Sequence, residues 1–153
     1  MTYRPTIVLI AEDDPVFRRV MSFSIARSGL TVETVGDGLS AYKRLCRGGV
    51  DFLVTDHQMP ICSGLELLAR IAVNQELSAP PTILCTAKGL ELDRQGLAAC
   101  YDLVAVMHKP FSPRKLCDLI LQNVPNSQLN RRPILTWDRP TVPRPQTNAL
   151  GNE

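Results

Sequence analysis

The chain has 153 residues, of which 44% are hydrophobic and 21% are charged, so its length and composition are those of one ordinary globular domain. Its formal charge of +2 is too small to indicate a general affinity for nucleic acid or for an anionic membrane. No stretch approaches the ~20 apolar residues that a membrane helix requires, and the first apolar run is too short for a signal peptide. We therefore expect a cytoplasmic protein that neither inserts into membranes nor binds nucleic acid directly.

The cysteines indicate neither a zinc knuckle nor a disulfide framework. They lie 15 to 23 residues apart, no CxxC pair occurs, and their total of five is odd. The five positions are Cys46, Cys62, Cys85, Cys100 and Cys117. We expect reduced thiols, most of which pack as small hydrophobic side chains.

The chain begins with a strand and a helix. Residues 6–11 form a short β-branched apolar run, which predicts a buried strand. Asp14 followed by Pro15 is typical of a helix start, with a capping carboxylate before proline at the first helical position. Gly29 predicts the end of this helix. Between these points the following apolar residues recur at helical spacing: Val16, Phe17, Val20, Phe23 and Ala26.

The same alternation continues along the chain. Further strands are predicted over residues 31–35, 51–55, 82–86 and 103–107. Further helices are predicted between the glycines of 36–49, from a capping box at 63–66 to about 73, more weakly over 89–99, and over 113–123 after Ser112. Five strands that alternate with five helices predict an α/β protein: a doubly wound, five-stranded parallel sheet with helices on both faces.

The pattern stops after Pro125. Residues 126–153 contain four prolines, four arginines and two acidic residues without periodicity, so we predict a flexible tail that carries the excess positive charge. The expected organisation is one domain over 1–125 and this tail over 126–153. The only tryptophan lies in the tail segment RRPILTWDRP, which is either a docking peptide or part of a linker.

Charged and hydroxyl side chains follow the predicted strands, where open parallel sheets bind their ligands. They are Glu12, Asp13, Asp14, Asp56, Thr86 and Lys109. Two carboxylates ~4 Å apart repel by about 4 kcal/mol at an effective dielectric near 20, so such a cluster needs a proton or a cation. Mg²⁺ suits a site of one or two carboxylates and water, and it usually accompanies a phosphoryl group. Lys109 and Thr86 add an ammonium and a hydroxyl donor. The set therefore predicts phosphoryl transfer onto a carboxylate.

Four motifs in this order, LIAEDDP, TDHQMPICSG, CTA and HKPF, resemble the receiver domain of two-component response regulators, the CheY-like superfamily. The resemblance covers about residues 6–124 and implies a flavodoxin-like fold. It also implies a signalling domain that assists its own phosphorylation and dephosphorylation and is not otherwise an enzyme. The implied site roles are Asp56 as phosphoacceptor, Thr86 and Lys109 as phosphoryl ligands, and Glu12, Asp13, Asp56 and the backbone carbonyl of Gln58 as Mg²⁺ ligands. Asp14 is expected to be the helix cap, and the Lys109–Pro110 peptide is expected to be cis.

The function implied is that of a single-domain response regulator. It would accept a phosphoryl group from a sensor histidine kinase or a histidine phosphotransfer protein and thereby change partner binding. The expected binding face is made by the fourth helix, the fifth strand and the fifth helix. Val106 stands where the family often has Tyr or Phe, so the usual coupling to the threonine cannot operate in its normal form. The alternatives are a non-switching docking or scaffold module, or a receiver fragment of a larger regulator.

His57 is not predicted to be a phosphohistidine or a metal ligand, and His108 is predicted to be structural. His57 directly follows Asp56, but no second metal ligand lies at a suitable spacing. His108 precedes Lys109, and strand alternation turns the two side chains in different directions.

Overall fold

A computed structural model describes residues 4–87 and 94–124 of the chain. Over these residues five parallel strands form one sheet in the order β2-β1-β3-β4-β5, and five helices connect or follow them. The strands are β1 (Ile7–Ala11), β2 (Thr31–Val35), β3 (Phe52–Asp56), β4 (Thr82–Thr86) and β5 (Ala105–His108). The helices are α1 (Pro15–Arg27), α2 (Gly38–Cys46), α3 (Gly64–Val73), α4 (Arg94–Tyr101) and α5 (Pro113–Asn123). The predicted fold class is confirmed.

The register of the sheet aligns the carboxyl ends of its central strands. β1 pairs with β3 so that Ala11 lies opposite Thr55, and β3 pairs with β4 so that Asp56 lies opposite Cys85. Every residue of β3 and of β4 is buried, as expected for strands covered on both faces. The residues that follow these strands therefore meet at one edge of the sheet.

Helices cover both faces of the sheet because successive strand residues point to opposite sides. On one face, Val8 and Ile10 of β1 pack in a cluster with residues of α1 and α5. On the other face, Leu9 packs with residues of α2 and α3. A smaller cluster is formed where Leu84 of β4 packs with residues of α3 and α4.

Helix α1 buries a different stripe from the one that its apolar spacing suggests. Met21 and Ile25 are buried, whereas Val16, Val20 and Phe23 are 72%, 45% and 61% exposed. The segment has apolar residues on two faces of the helix, so periodicity identifies a helix without identifying its buried face.

Several predicted boundaries shift by one to a few residues. β3 extends to Asp56, and β5 begins at Ala105 rather than at 103. The later start follows from a backbone contact, because the Leu103 N–H donates to the Ala98 carbonyl and ends helix α4 (3.2 Å). α4 begins at Arg94, and the predicted start at 89 lies outside the described residues, as does the predicted tail over 126–153.

Of the three residues predicted to cap helices, two accept capping hydrogen bonds with their side chains. The Asp14 side chain accepts from the N–H groups of Val16 and Phe17, and Ser63 accepts from the Glu66 N–H. Ser112 precedes α5 but makes no side-chain capping bond.

All five cysteines are free, with Cys46 and Cys100 exposed and the other three buried. Among the described residues, no helix is both long enough and apolar enough to cross a membrane.

Candidate functional site

Three carboxylates meet at the carboxyl edge of the sheet. Glu12 and Asp13 directly follow β1, and Asp56 is the last residue of the neighbouring strand β3. Each contributes an oxygen that lies within 4.8 Å of the other two. Glu12 and Asp56 are only 1% and 6% exposed, whereas Asp13 is open to solvent. The predicted acidic residues are therefore brought together, with two of them inside the protein.

Lys109 is the cation of this cluster. Its Nζ lies 2.8 Å from Oε2 of Glu12 and 3.2 Å from Oδ1 of Asp56. The Lys109 backbone N–H donates to the Thr86 carbonyl at 2.8 Å, which continues the β4–β5 pairing to the site. The Lys109–Pro110 peptide is cis, as the resemblance implied. One ammonium thus bridges two buried carboxylates.

Burial and charge act against each other on these groups. Burial raises the pKa of Glu12 above its ordinary value, although the hydrogen bond from Lys109 opposes this. Burial likewise raises the pKa of Asp56, and the charge of Lys109 opposes it. Burial alone would lower the pKa of Lys109, but the hydrogen bond to Glu12 and the charge of Asp56 hold it above its ordinary value. The cluster therefore carries more negative charge than Lys109 can neutralise.

The donor set fits a hard divalent cation. Three carboxylate oxygens within reach of one another, in a partly open position, are the ligands that Mg²⁺ prefers. Gln58, whose backbone carbonyl is the fourth expected ligand, lies in the loop after β3 and lines an open pocket with Asp13, His57 and Met59. The cluster could thus hold a metal at this edge.

The loop after Asp56 leaves no space for a side chain at Gly64. A Cβ there would lie 2.2 Å from the Asp56 carbonyl oxygen and 2.9 Å from the His57 Cα. The Gly64 N–H also donates to the His57 carbonyl at 2.8 Å. Only glycine allows this close approach, which fixes the backbone around Asp56 and His57.

Thr86 ends β4 and is fully buried. Its Oγ1 lies 3.3 Å from Nδ1 of His108, the residue opposite it in the β4–β5 register. His108, which is predicted to be structural, thus contacts a candidate site residue. Pairing of the strand ends places the two residues side by side, but side-chain orientation decides the contact, so the sequence did not indicate it.

Residues of α1 also belong to the site, and the sequence did not indicate them. The Phe17 ring centroid lies 4.5 Å from Lys109 Nζ, and the same ring packs edge-on against Phe111 at 5.4 Å. Arg18 donates from Nη1 to the Glu12 carbonyl at 2.9 Å. These contacts position the lysine and the backbone of the acidic pair.

Comparison with known proteins agrees with this fold. The sequence model of the response regulator receiver domain matches residues 8–121. A probable transcriptional regulator, ycf29 of Pyropia yezoensis, is 31% identical over 89% of this chain and 66% of its own length. The probable transcriptional regulatory protein TcrX of Mycobacterium tuberculosis is 36% identical over 71% of this chain and 45% of its own length. The chain thus spans about two thirds of one of these curated relatives and less than half of the other.

Solved structures show the same architecture. The chemotaxis response regulator CheY4 of Vibrio cholerae superimposes with a TM-score of 0.68 at 20% identity, covering 79% of this chain and 100% of that one. The receiver domain of the Francisella response regulator 1452 gives a TM-score of 0.66 at 25% identity, covering 77% and 95%. The chain belongs to the response regulator receiver domain family of two-component systems.

Proposed function

We propose that this chain accepts a phosphoryl group on Asp56 from a phosphohistidine of a sensor histidine kinase or a histidine phosphotransfer protein. The proposal assigns the reaction to the cytoplasm, where reduced cysteines persist. It treats residues 1–125 as the receiver domain and 126–153 as a tail outside it. The observation that carries it is the cluster of Glu12, Asp13 and Asp56 with Lys109 bridging two of them.

The transfer step forms one bond and breaks one. A carboxylate oxygen of Asp56 attacks phosphorus, the phosphorus–nitrogen bond of the donor breaks, and its electron pair stays on the donor imidazole. Lys109, already 3.2 Å from Asp56, pairs with a phosphoryl oxygen, and the Thr86 hydroxyl donates to another. Mg²⁺ held by Glu12, Asp13, Asp56 and the Gln58 carbonyl would neutralise charge on the phosphoryl oxygens.

The acyl phosphate would change partner binding at the face made by α4, β5 and α5. Lys109 directly follows β5, and Thr86 is the last residue of β4. A group bound to both residues therefore acts on the backbone of this face. A two-state equilibrium of the face, biased by the phosphoryl group, is the expected output.

One observation favours a second candidate, a non-switching docking or scaffold module. Val106 packs against the apolar cluster that contains Leu68, Leu84 and Leu103. A small aliphatic side chain at this position has no aromatic ring that could rotate between two environments. If the chain does not switch, the receiver fold would serve only for docking. The third candidate, a fragment of a larger regulator, would be indicated by an output domain encoded beyond residue 153.

The experiment is phosphorylation by acetyl phosphate, followed by intact mass and by acid lability of the label. Wild type should gain one phosphate with Mg²⁺ and little without it, and Asp56→Asn should gain none. Asp51→Asn, a substitution of the same kind at the opposite edge of the sheet, is the matched control and should be labelled normally. If wild type gains no label, the proposed reaction is wrong and the docking module remains as the candidate function. Label on Asp56→Asn would disprove the assignment of Asp56 as acceptor.

A further inference from the structure

The contact between Thr86 and His108 involves a hydroxyl that the proposed reaction needs. Thr86 Oγ1 lies 3.3 Å from His108 Nδ1, and Thr86 is fully buried. A threonine hydroxyl has one hydrogen to donate, and a phosphoryl oxygen can only accept. When the hydroxyl donates to a phosphoryl group, it can no longer donate to the imidazole.

The position of His108 connects this hydroxyl to the α4 side of the sheet. Leu84 and Val106, each two residues before Thr86 and His108, pack in the cluster that includes Leu97 and Tyr101 of α4. Side chains two residues apart in a strand share a face, so His108 lies on this side of β5. Thr86 and His108 are paired in register, which keeps the two side chains adjacent along the strand ends.

We propose that the Thr86 hydroxyl donates to His108 Nδ1 in the unphosphorylated chain, and that this hydrogen bond is released when Asp56 is phosphorylated. His108 is thus a positioning residue that transmits the change to the α4–β5 face, in place of an aromatic side chain at position 106. This inference rests on the proposed function, because it requires Thr86 to bind the phosphoryl group.

The resting contact is tested first, without any phosphodonor. The chain has only two histidines, so ¹⁵N-edited NMR of the imidazoles gives two sets of signals, which His57→Asn and His108→Asn assign. Thr86→Val should shift the His108 Nδ1 signal, and Thr86→Ser, which keeps the hydroxyl, should leave it near the wild-type position. A His108 signal that is the same in wild type and in Thr86→Val would overturn the proposal.

The second measurement adds acetyl phosphate and Mg²⁺. In wild type the His108 Nδ1 signal should move toward the position that it has in unphosphorylated Thr86→Val, and in phosphorylated Thr86→Val it should not move further. An unchanged wild-type signal, at confirmed full phosphorylation, would contradict the exchange of partners. If the intact mass shows no phosphate, the proposed function fails. The test of the resting Thr86–His108 contact is unaffected, because it uses no phosphodonor.

Rates give a readout that a purely structural role would not reproduce. Removing the competing acceptor with His108→Leu should speed phosphate incorporation about threefold, the scale of one net hydrogen bond. His108→Asn, which keeps a polar atom near the position of Nδ1, should restore a rate close to wild type. The effect of His108→Leu should vanish in a Thr86→Val background. Equal acceleration in both backgrounds, or equal rates in the Leu and Asn variants, would disprove the coupling.

Discussion

The amino ends of the parallel strands form one side of the sheet, the amino edge, and their carboxyl ends form the opposite side, the carboxyl edge. Each of these two edges contains an ion pair, but the two pairs are built differently. At the amino edge, Asp51 is matched by Arg4, whose guanidinium contacts both of its carboxylate oxygens at 2.6 and 3.1 Å. The Ile7 N–H also donates to Asp51 at 2.8 Å. At the carboxyl edge, Lys109 is the cation that pairs with the Glu12 and Asp56 carboxylates among the described residues, and Asp13 lies beside them.

The carboxylate at the amino edge is paired within the chain, whereas the carboxylates at the carboxyl edge are only partly neutralised. Asp51 has its hydrogen bonds and its counter-charge within the chain, and Arg4 is 54% exposed, so the pair adds modest stability. The carboxyl edge instead buries two acids with less positive charge than they need, which is unfavourable unless a ligand supplies the remainder. An unmatched buried charge is therefore the feature that marks the site.

The largest expected effect of a single substitution concerns the glycines at the two edges. Gly64→Ala should lower the free energy of unfolding by about 3 kcal/mol, because a Cβ would lie 2.2 Å from the Asp56 carbonyl oxygen. Gly49→Ala at the amino edge has open space but a φ of +83°, so it should cost about 1 kcal/mol. Urea unfolding measures both, and equal losses would show that the carboxyl-edge loop can relax.

The same substitution at the two edges should change stability in opposite directions. Asp51→Asn should lower the free energy of unfolding by about 1 kcal/mol, because it weakens bonds to Arg4. Asp56→Asn should raise the free energy of unfolding by about 1 kcal/mol in metal-free buffer. It removes one buried negative charge, while the ion pair between Lys109 and Glu12 remains. Chemical denaturation with a chelator present gives the comparison, and destabilisation by both variants would contradict it.

Mg²⁺ should stabilise the carboxyl edge, by about 1.4 kcal/mol at ten times its Kd. Burial raises the pKa of Glu12 and of Asp56, so their ionised forms oppose folding, and the metal-free protein gains stability as the pH falls through the raised values toward the ordinary 4.5 and 3.8. Stabilisation by Mg²⁺ should shrink over the same interval, because protons then compete for the carboxylates. Thermal melts from pH 7 to pH 4 measure this.

Asp13→Asn provides the control for the metal effect. Asp13 is exposed, so its loss should change the metal-free melting temperature little while weakening stabilisation by Mg²⁺. If Mg²⁺ stabilises Asp13→Asn as strongly as wild type, the metal does not bind where the carboxylates indicate.

The smallest expected contrast between two variants concerns the ring beside Lys109. Phe17→Leu should cost about 1 kcal/mol, because it removes the cation–π contact and the edge-on packing with Phe111. Phe23→Leu is the matched control on the same helix, because Phe23 is 61% exposed, and it should change stability by less than about 0.5 kcal/mol. Parallel denaturation curves test the pair, and indistinguishable losses would remove the role of Phe17.

The alternation of strands and helices, and most of their ends, could be predicted because their signals are local. Asp14 and Ser63 cap the helices that their positions indicated. The buried face of α1 could not be predicted, since Val20 and Phe23 are as apolar as the buried Met21 and only tertiary packing decides between them. The end of α4 and the start of β5 likewise depend on a tertiary arrangement around Leu103.

The charged members of the site could be placed at one edge because parallel strands share a direction. The contacts of Phe17 with Lys109 and of Thr86 with His108 could not be derived in the same way, because they depend on side-chain orientation between segments distant in sequence. His108 shows the limit most clearly: alternation correctly separated it from Lys109 but did not indicate the hydroxyl that it meets.

The ion pair between Lys109 and Glu12 joins residues 97 positions apart in the chain. Glu12 follows β1 and Lys109 follows β5, and β3 and β4 lie between these strands in the sheet, so the pair requires that both have joined it. A contact that depends on such non-local strand pairing belongs to late steps of folding. A nascent or partly unfolded chain would therefore have Asp56, the proposed acceptor, without its lysine. Competence for phosphorylation should appear in refolding experiments together with complete tertiary structure, which makes label uptake a probe of the final folding event.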